Sequence, residues 1–181
     1  MKKTLLLLTA ALGLSSVSCF ADALLLTVNA TPYDQQMNRI RPVLNTTSSA
    51  AADQTSLAVV NHWMSDLRDI PYGYQQVWKT PSEVESRNPA DCKGKAVALY
   101  QRMRENGATN VRLVIGKRAP TSRMTHAWLV WETNNGSFVL DPTFNYCATR
   151  ADKIGKSSYV PLYAFAGSKK FRAAGSLVAQ N

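Results

Sequence analysis

The sequence predicts an α+β fold in which helices pack on an antiparallel sheet. Apolar residues recur at helical spacing in two segments before residue 107, and short segments dense in β-branched and aromatic residues follow. Between two of these later segments, Asn134-Asn135-Gly136 is a turn signal that predicts a hairpin. Because the helices precede the strands rather than alternate with them, a parallel, doubly wound sheet is not expected.

The N-terminal residues have the pattern of a secretory signal peptide. Lys2 and Lys3 follow Met1, residues 4–14 are apolar, and Ala21-Asp22-Ala23 fits the small-residue pattern of a cleavage site. We therefore expect residues 1–21 to be removed and the protein to be periplasmic or secreted. A rival interpretation makes Cys19 a lipidated cysteine. The Leu usual three residues before such a cysteine is replaced by Ser16, so plain cleavage is favoured.

The composition limits the partners that the mature chain is expected to have. No segment reaches the about 20 apolar residues of a transmembrane helix, so the chain is predicted not to span a membrane. The formal net charge is +9, but lysine and arginine are scattered without interleaved aromatics. Together with export, this argues against nucleic acid. A loose basic cluster is typical of a solvated face, or it guides an acidic substrate: Arg112, Lys117, Arg118 and Arg123.

Residues 22–52 are predicted to form an N-terminal segment and linker, because residues 45–52 are rich in Ser, Thr and Ala. A domain of residues 53–181 follows. Asp53 is a suitable N-cap for a helix over residues 54–69, whose apolar positions recur at helical spacing: Leu57, Val60, Trp63, Met64 and Leu67.

A second helix is predicted to begin at Cys92, with Asp91 as its N-cap and Gly107 just beyond its end. Its apolar face comprises Ala96, Leu99, Tyr100 and Met103. Strands are then predicted over four ranges: residues 110–115, 125–132, 137–141 and 159–166.

Three residues in these elements form a candidate nucleophile system. A helix start favours a thiolate, because its unpaired N–H groups and the helix dipole attract negative charge, and Cys92 lies at such a start. A thiol nucleophile also needs a base, and that base needs a group to orient it. His126 begins one strand of the predicted hairpin and Asp141 ends the other. The hairpin therefore places this imidazole and carboxylate at the same end of the sheet.

The residues around these positions carry a family resemblance. Five segments are involved: Trp78-Lys79-Thr80-Pro81-Ser82-Glu83, Asp91-Cys92, Ala96, His126-Ala127-Trp128 and Leu140-Asp141-Pro142. Together they resemble the bacterial transglutaminase-like cysteine proteinase family.

The resemblance covers about residues 55–145 and implies a papain-like transglutaminase core. It implies Cys92 as the nucleophile, His126 as the general base and acid, and Asp141 as the group that orients the imidazole. The best-known members of the family are periplasmic proteases that cut large surface adhesins. The implied partner is therefore a protein substrate, such as a cell-surface or envelope protein.

One departure from the family pattern concerns metal binding. Adhesin-cleaving members carry Asp-Cys-Glu-Asp at the nucleophile, and the acidic residues bind calcium. Here Lys93 and Gly94 follow Cys92. Because a lysine opposes cation binding and calcium requires several oxygen ligands, we expect no metal and no cofactor.

Two alternatives to a cysteine peptidase remain open at the level of sequence. The first is a transglutaminase-type acyl transferase or amidase acting on envelope proteins or wall peptides, since an amine can replace water in resolving a thioester. The second is a non-catalytic binding domain in which Cys92 and Cys147, the two cysteines left after signal cleavage, form a disulfide.

Overall fold

The computed structural model describes residues 19–20, 23–48, 55–85 and 88–174. The predicted signal peptide lies outside these ranges except for residues 19–20, and so do Asp53 and residues 49–52 of the predicted linker.

Within the described residues, eight strands form an antiparallel sheet in the order β1-β2-β8-β7-β3-β4-β5-β6. The strands are β1 (Cys19–Phe20), β2 (Ala23–Thr27), β3 (Val111–Lys117), β4 (His126–Thr133), β5 (Gly136–Leu140), β6 (Thr149–Arg150), β7 (Val160–Ala166) and β8 (Lys169–Ala173).

The helices are α1 (Arg41–Leu44), α2 (Leu57–Asp69), α3 (Pro81–Glu85) and α4 (Cys92–Glu105). Two 3₁₀ segments lie at Gln36–Ile40 and Ala151–Lys153. None of the helices in the described part of the chain has the length and apolar character needed to cross a membrane.

The four predicted strands correspond to β3, β4, β5 and β7, with bounds shifted by one or two residues. The sequence does not predict β8, which is mostly half-exposed and carries Lys169, Lys170 and Arg172. This strand pairs with β7 across a tight turn at Gly167, whose φ of 59° favours glycine. Tertiary pairing, rather than local apolar character, therefore makes it a strand.

The α2 helix begins later than predicted. Ser56, not Asp53, is its N-cap, and the Ser56 hydroxyl accepts a hydrogen bond from the Val59 amide at 3.3 Å. At the end of α4, Gly107 has a φ of 95°, which confirms the predicted glycine stop.

The sheet separates two apolar clusters. The larger cluster holds α4, α2 and one sheet face, including Leu129 and Trp131 of β4. The smaller cluster lies on the opposite face and includes Trp128 and Val130. This alternation follows from the two-residue period of a strand, and it leaves α4 as the central buried helix against which β3 and β4 pack.

A buried lysine joins α4 to the end of α2. The Lys95 side chain is 1% exposed, and its Nζ donates hydrogen bonds to the carbonyl oxygens of Ile70 at 2.6 Å and Arg68 at 3.3 Å. These carbonyls lie at the C-terminal end of α2, where backbone acceptors lack helical partners. Desolvation lowers the pKa of Lys95, and the two carbonyls compensate part of the burial cost.

Close strand packing requires glycine at position 116. Gly116 lies opposite His126 in the β3–β4 register, at an irregularity in the pairing of β3 with β7. A Cβ atom there would lie 2.1 Å from the Val160 carbonyl oxygen and 2.6 Å from the Trp128 ring. The missing side chain therefore lets β7 and Trp128 approach the strand that carries His126.

We expect Gly116→Ala to lower the free energy of unfolding by about 1–3 kcal/mol, because the added methyl group must displace backbone rather than a flexible side chain. Urea denaturation followed by circular dichroism measures this change. Gly155→Ala is the matched control, since a Cβ there meets no atom within 4 Å. Equal stability of the two variants would contradict the proposed packing constraint.

Candidate active site

The start of α4 is fixed by a buried carboxylate. Asp91 is the N-cap, and its Oδ1 accepts a hydrogen bond from the Gly94 amide at 3.2 Å. Its Oδ2 accepts from the Gln75 amide at 3.1 Å and from the Lys93 ammonium. Asp91 therefore ties the helix start to the preceding loop and holds Cys92, which is 8% exposed, at the first helical position.

The His126 ring lies between the thiol and a carboxylate. The Cys92 side chain lies beside this ring and raises the pKa of His126 through a hydrogen-bonding interaction and its charge. The ring Nε2 lies 2.9 Å from Asp141 Oδ2, which leaves Nδ1 as the nitrogen available to the thiol. Trp128 stacks on the imidazole with ring centroids 6.0 Å apart, and the Phe144 centroid lies at 5.3 Å. These aromatic neighbours restrict the orientation of the ring.

Asp141 follows β5 directly and its side chain is fully buried. Besides His126, its Oδ2 accepts a hydrogen bond from the Tyr159 hydroxyl at 2.8 Å. Its Oδ1 accepts from the Thr143 amide at 3.1 Å, and Arg118 Nε lies 4.0 Å from Oδ2. The carboxylate is thus held from two further chain segments as well as by the histidine.

These contacts raise the pKa of His126 and lower the pKa of Asp141. Burial alone would lower the pKa of His126, but hydrogen bonds to Asp141 and Cys92 and their negative charges raise it to about 9. Burial alone would raise the pKa of Asp141, but the hydrogen bond and charge of His126, with bonds from Tyr159 and Thr143, lower it. At neutral pH the pair is therefore an imidazolium and a carboxylate.

The structure thus brings Cys92, His126 and Asp141 together in one chain of side-chain contacts. Cys147 is different: it is exposed and free, and Cys92 is also free. The other histidine, His62, lies on the surface of α2, 3.7 Å from Asp66.

Sequence reasoning missed Tyr159. It lies at the start of β7 with a φ of 54°, which is uncommon for a residue other than glycine. Its hydroxyl donates to Asp141 and accepts from the Asn145 side-chain amide at 3.2 Å. Burial and the charge of Asp141 raise the pKa of Tyr159 to about 12, so it remains a neutral donor. No local sequence pattern marks this residue, because its role depends on strand order.

Cys92 and His126 line a cleft of about 750 Å³. Several aromatic and apolar side chains at this cleft are 47–67% exposed: Tyr72, Tyr74, Met124 and Phe144. A cleft of this size that contains a thiol and an imidazole can accept a segment of polypeptide.

A helix-start thiol beside a sheet-borne imidazole and carboxylate is the arrangement implied by the resemblance of the sequence to the transglutaminase-like cysteine proteinase family. Solved structures with a similar fold include those of LapG from Legionella pneumophila.

The EGTA-treated form of LapG has a TM-score of 0.57 and 15% sequence identity, and the match covers 81% of each chain. The calcium-bound form has a TM-score of 0.55 and 14% identity, over 81% of this chain and 82% of LapG. Neither a protein-family model nor a curated protein sequence matches this chain. At these identities the likeness establishes a shared fold.

The comparison corrects the cofactor prediction. The expectation that this chain takes no metal and no cofactor is wrong, because LapG, which shares its fold, has been solved with calcium bound. The prediction considered only Lys93 and Gly94, whereas calcium takes roughly six to eight oxygen ligands, which include backbone carbonyls and water. The described residues contain no group of three or more His, Cys, Asp or Glu placed to hold a metal ion.

The raised pKa of His126 predicts a pH-dependent stability. Between about pH 6.5 and pH 9 the folded chain keeps a proton on His126 that the unfolded chain has released, so the free energy of unfolding should fall as the pH rises. The loss should be on the order of 2–3 kcal/mol across this window. Urea unfolding at a series of pH values, compared with His126→Ala, measures it. Parallel curves for the two proteins would rule out this assignment.

Tyr159→Phe should lower the free energy of unfolding by about 1–3 kcal/mol, because it removes a hydrogen bond to a buried charged carboxylate. Tyr146→Phe is the matched control, since Tyr146 is 52% exposed and should change stability by no more than about 0.5 kcal/mol. Chemical denaturation at pH 7 measures both variants. If they were equally stable, the Tyr159 hydroxyl would not be holding Asp141.

Proposed function

We propose that this protein is a cysteine peptidase that hydrolyses a peptide bond of a protein substrate through Cys92, His126 and Asp141. The observation that carries the proposal is the contact chain from the Cys92 side chain through the His126 ring to Asp141, with Nε2 and Oδ2 2.9 Å apart. The fold shared with LapG and the position of the thiol in a cleft add support.

The first chemical step is acylation of the thiol. With a pKa of about 9, His126 carries a proton at neutral pH and can pair with a Cys92 thiolate. The thiolate attacks the carbonyl carbon of the scissile bond, and the carbonyl oxygen becomes an oxyanion. The intermediate then collapses: the C–N bond breaks, and His126 gives its proton to the leaving amine. The product of this step is a thioester and a neutral imidazole.

Water then resolves the thioester. The neutral His126 accepts a proton from the attacking water, the C–S bond breaks, and a carboxylic acid product leaves the regenerated thiolate–imidazolium pair. Asp141 keeps the ring oriented throughout and stabilises its protonated form, since it remains hydrogen-bonded to Nε2.

The oxyanion requires hydrogen-bond donors near Cys92. We assign the Cys92 backbone N–H as one donor, because the first N–H groups of a helix have no intrahelical partner. The indole Nε1 of Trp78 is a candidate for the second. Trp78 lines the cleft, and this nitrogen is buried without a hydrogen-bond partner in the described part of the chain.

The free state of both cysteines favours an active thiol over the non-catalytic alternative, which requires a Cys92–Cys147 disulfide. Export of the protein to the periplasm or beyond is also part of the proposal, and it depends on the signal peptide predicted for residues 1–21.

Alkylation by iodoacetamide tests the activated thiol. In a Cys147→Ser background, which leaves one thiol in the mature chain, Cys92 should react at pH 7 at least about tenfold faster than in the same background with His126→Ala, because the imidazolium stabilises the thiolate. Equal, slow rates in the two proteins would contradict the proposal.

Mass spectrometry of a peptide library incubated with the mature protein tests the reaction itself. We expect cleaved peptides with the wild type and none with Cys92→Ala. An added primary amine separates hydrolysis from acyl transfer: incorporation of the amine into the products would replace the peptidase with a transglutaminase-type enzyme.

A further inference from the structure

The cleft beside Cys92 is lined by more positively charged side chains than negatively charged ones. Asp91 is the one carboxylate among its described lining residues, and the Lys93 ammonium contacts it directly. Arg118 and Arg123 also line the cleft. The basic cluster seen in the sequence is therefore divided by the fold, since Arg112 instead pairs with Glu132 at 2.8 Å.

Arg118 is held in place by its neighbours. Its guanidinium lies 3.8 Å from the centre of the Phe144 ring and 5.8 Å from that of Tyr159. Its carbonyl oxygen accepts a hydrogen bond from the Tyr159 amide at 2.9 Å, so the backbone is fixed as well. An arginine that is already stacked loses less conformational freedom when it binds a ligand.

The terminal nitrogens of Arg118 are available to a ligand. The Nε edge faces Asp141 at 4.0 Å, whereas neither Nη atom forms a hydrogen bond with the described residues. The side chain is 43% exposed. Asp141 is already paired with His126, so it neutralises Arg118 only in part. A planar guanidinium with two unused NH2 groups matches the two oxygens of a carboxylate.

Arg118 also lies close to the reacting atoms. Asp141 Oδ2 lies 4.0 Å from Arg118 Nε and 2.9 Å from His126 Nε2, so the guanidinium and the imidazole are both close to a single oxygen atom. A ligand group bound by Arg118 would therefore lie within a few residues of the bond presented to Cys92.

We propose that Arg118, assisted by the exposed Arg123, binds a carboxylate side chain of the substrate, so that the enzyme selects acidic peptide segments next to the cleaved bond. This inference rests on the proposed peptidase function. Arg118 acts as a specificity-determining residue. A peptide is favoured over other polyanions because exposed aromatic and apolar side chains also line the cleft.

The charge preference can be measured without turnover. Iodoacetate and iodoacetamide alkylate the same thiol and differ chiefly in one negative charge. In the Cys147→Ser background, the ratio of the iodoacetate rate to the iodoacetamide rate at Cys92 should fall about five- to tenfold on Arg118→Gln. Taking the ratio cancels any effect of the substitution on the thiolate itself, since both reagents require it.

Lys169→Gln is the matched control, because it removes one positive charge from an exposed residue outside the cleft. We expect its ratio to stay within about twofold of the wild type, and that of Arg123→Gln to fall by less than that of Arg118→Gln, since exposed charges are screened. An unchanged ratio in Arg118→Gln, or an equal change in Lys169→Gln, would overturn the proposal.

Peptide cleavage provides the second measurement. Among cleaved library peptides, Asp and Glu should be enriched within a few residues of the cut for the wild type and not for Arg118→Gln. For a preferred peptide, replacing the acidic residue with its amide should reduce kcat/KM about tenfold in the wild type and little in Arg118→Gln.

The two proposals fail in different ways. Slow alkylation of Cys92 that does not depend on His126 would contradict the proposed peptidase function, whatever the ratio of the two alkylation rates. Fast, His126-dependent alkylation would support the proposed peptidase. If the ratio of the iodoacetate rate to the iodoacetamide rate then did not change in Arg118→Gln, only the acidic specificity would be contradicted. Protection of Cys92 by a sulfated polysaccharide, but not by acidic peptides, would contradict the choice of peptide ligand.

Discussion

The buried carboxylate of Asp141 is the constraint on which the rest of the site depends. An ionised carboxylate in the interior is costly unless hydrogen bonds and an opposite charge compensate it. Here that compensation comes from His126, Tyr159 and the Thr143 amide, with Arg118 at 4.0 Å. Because these groups come from β4 and from the loops after β3, after β5 and before β7, satisfying one charge aligns four segments at one end of the sheet.

A second buried carboxylate plays the corresponding role on the helical side. Asp91 accepts from the Gly94 and Gln75 amides and from the Lys93 ammonium, so it fixes both the first turn of α4 and the loop in front of it. The Cys92 thiol lies between the start of α4, which Asp91 fixes, and the end of the sheet, which Asp141 fixes. Its distance from the imidazole is therefore set by the packing of α4 on β3 and β4 rather than by any local turn.

The likeness to LapG at 13–15% identity shows how little of the sequence this fold requires. A central helix needs an apolar surface, and a buried sheet needs apolar residues on both faces, but many side chains meet either need. The proposed substrate choice depends instead on a few residues at the cleft, such as Arg118, and these can change without changing the fold.

The elements whose contacts are local could be predicted from the amino-acid sequence. Asp91 before Cys92 predicted the start of α4, and the turn at Asn134-Asn135-Gly136 joins β4 to β5, so His126 and Asp141 had to lie near each other. Tertiary structure alone places the Tyr159 hydroxyl on Asp141 and leaves Cys147 exposed and free. It also divides the basic cluster, since Arg112 pairs with Glu132 whereas Arg118 and Arg123 line the cleft. The physical reason is sequence separation: these outcomes depend on which strands become neighbours, and no local propensity encodes strand order.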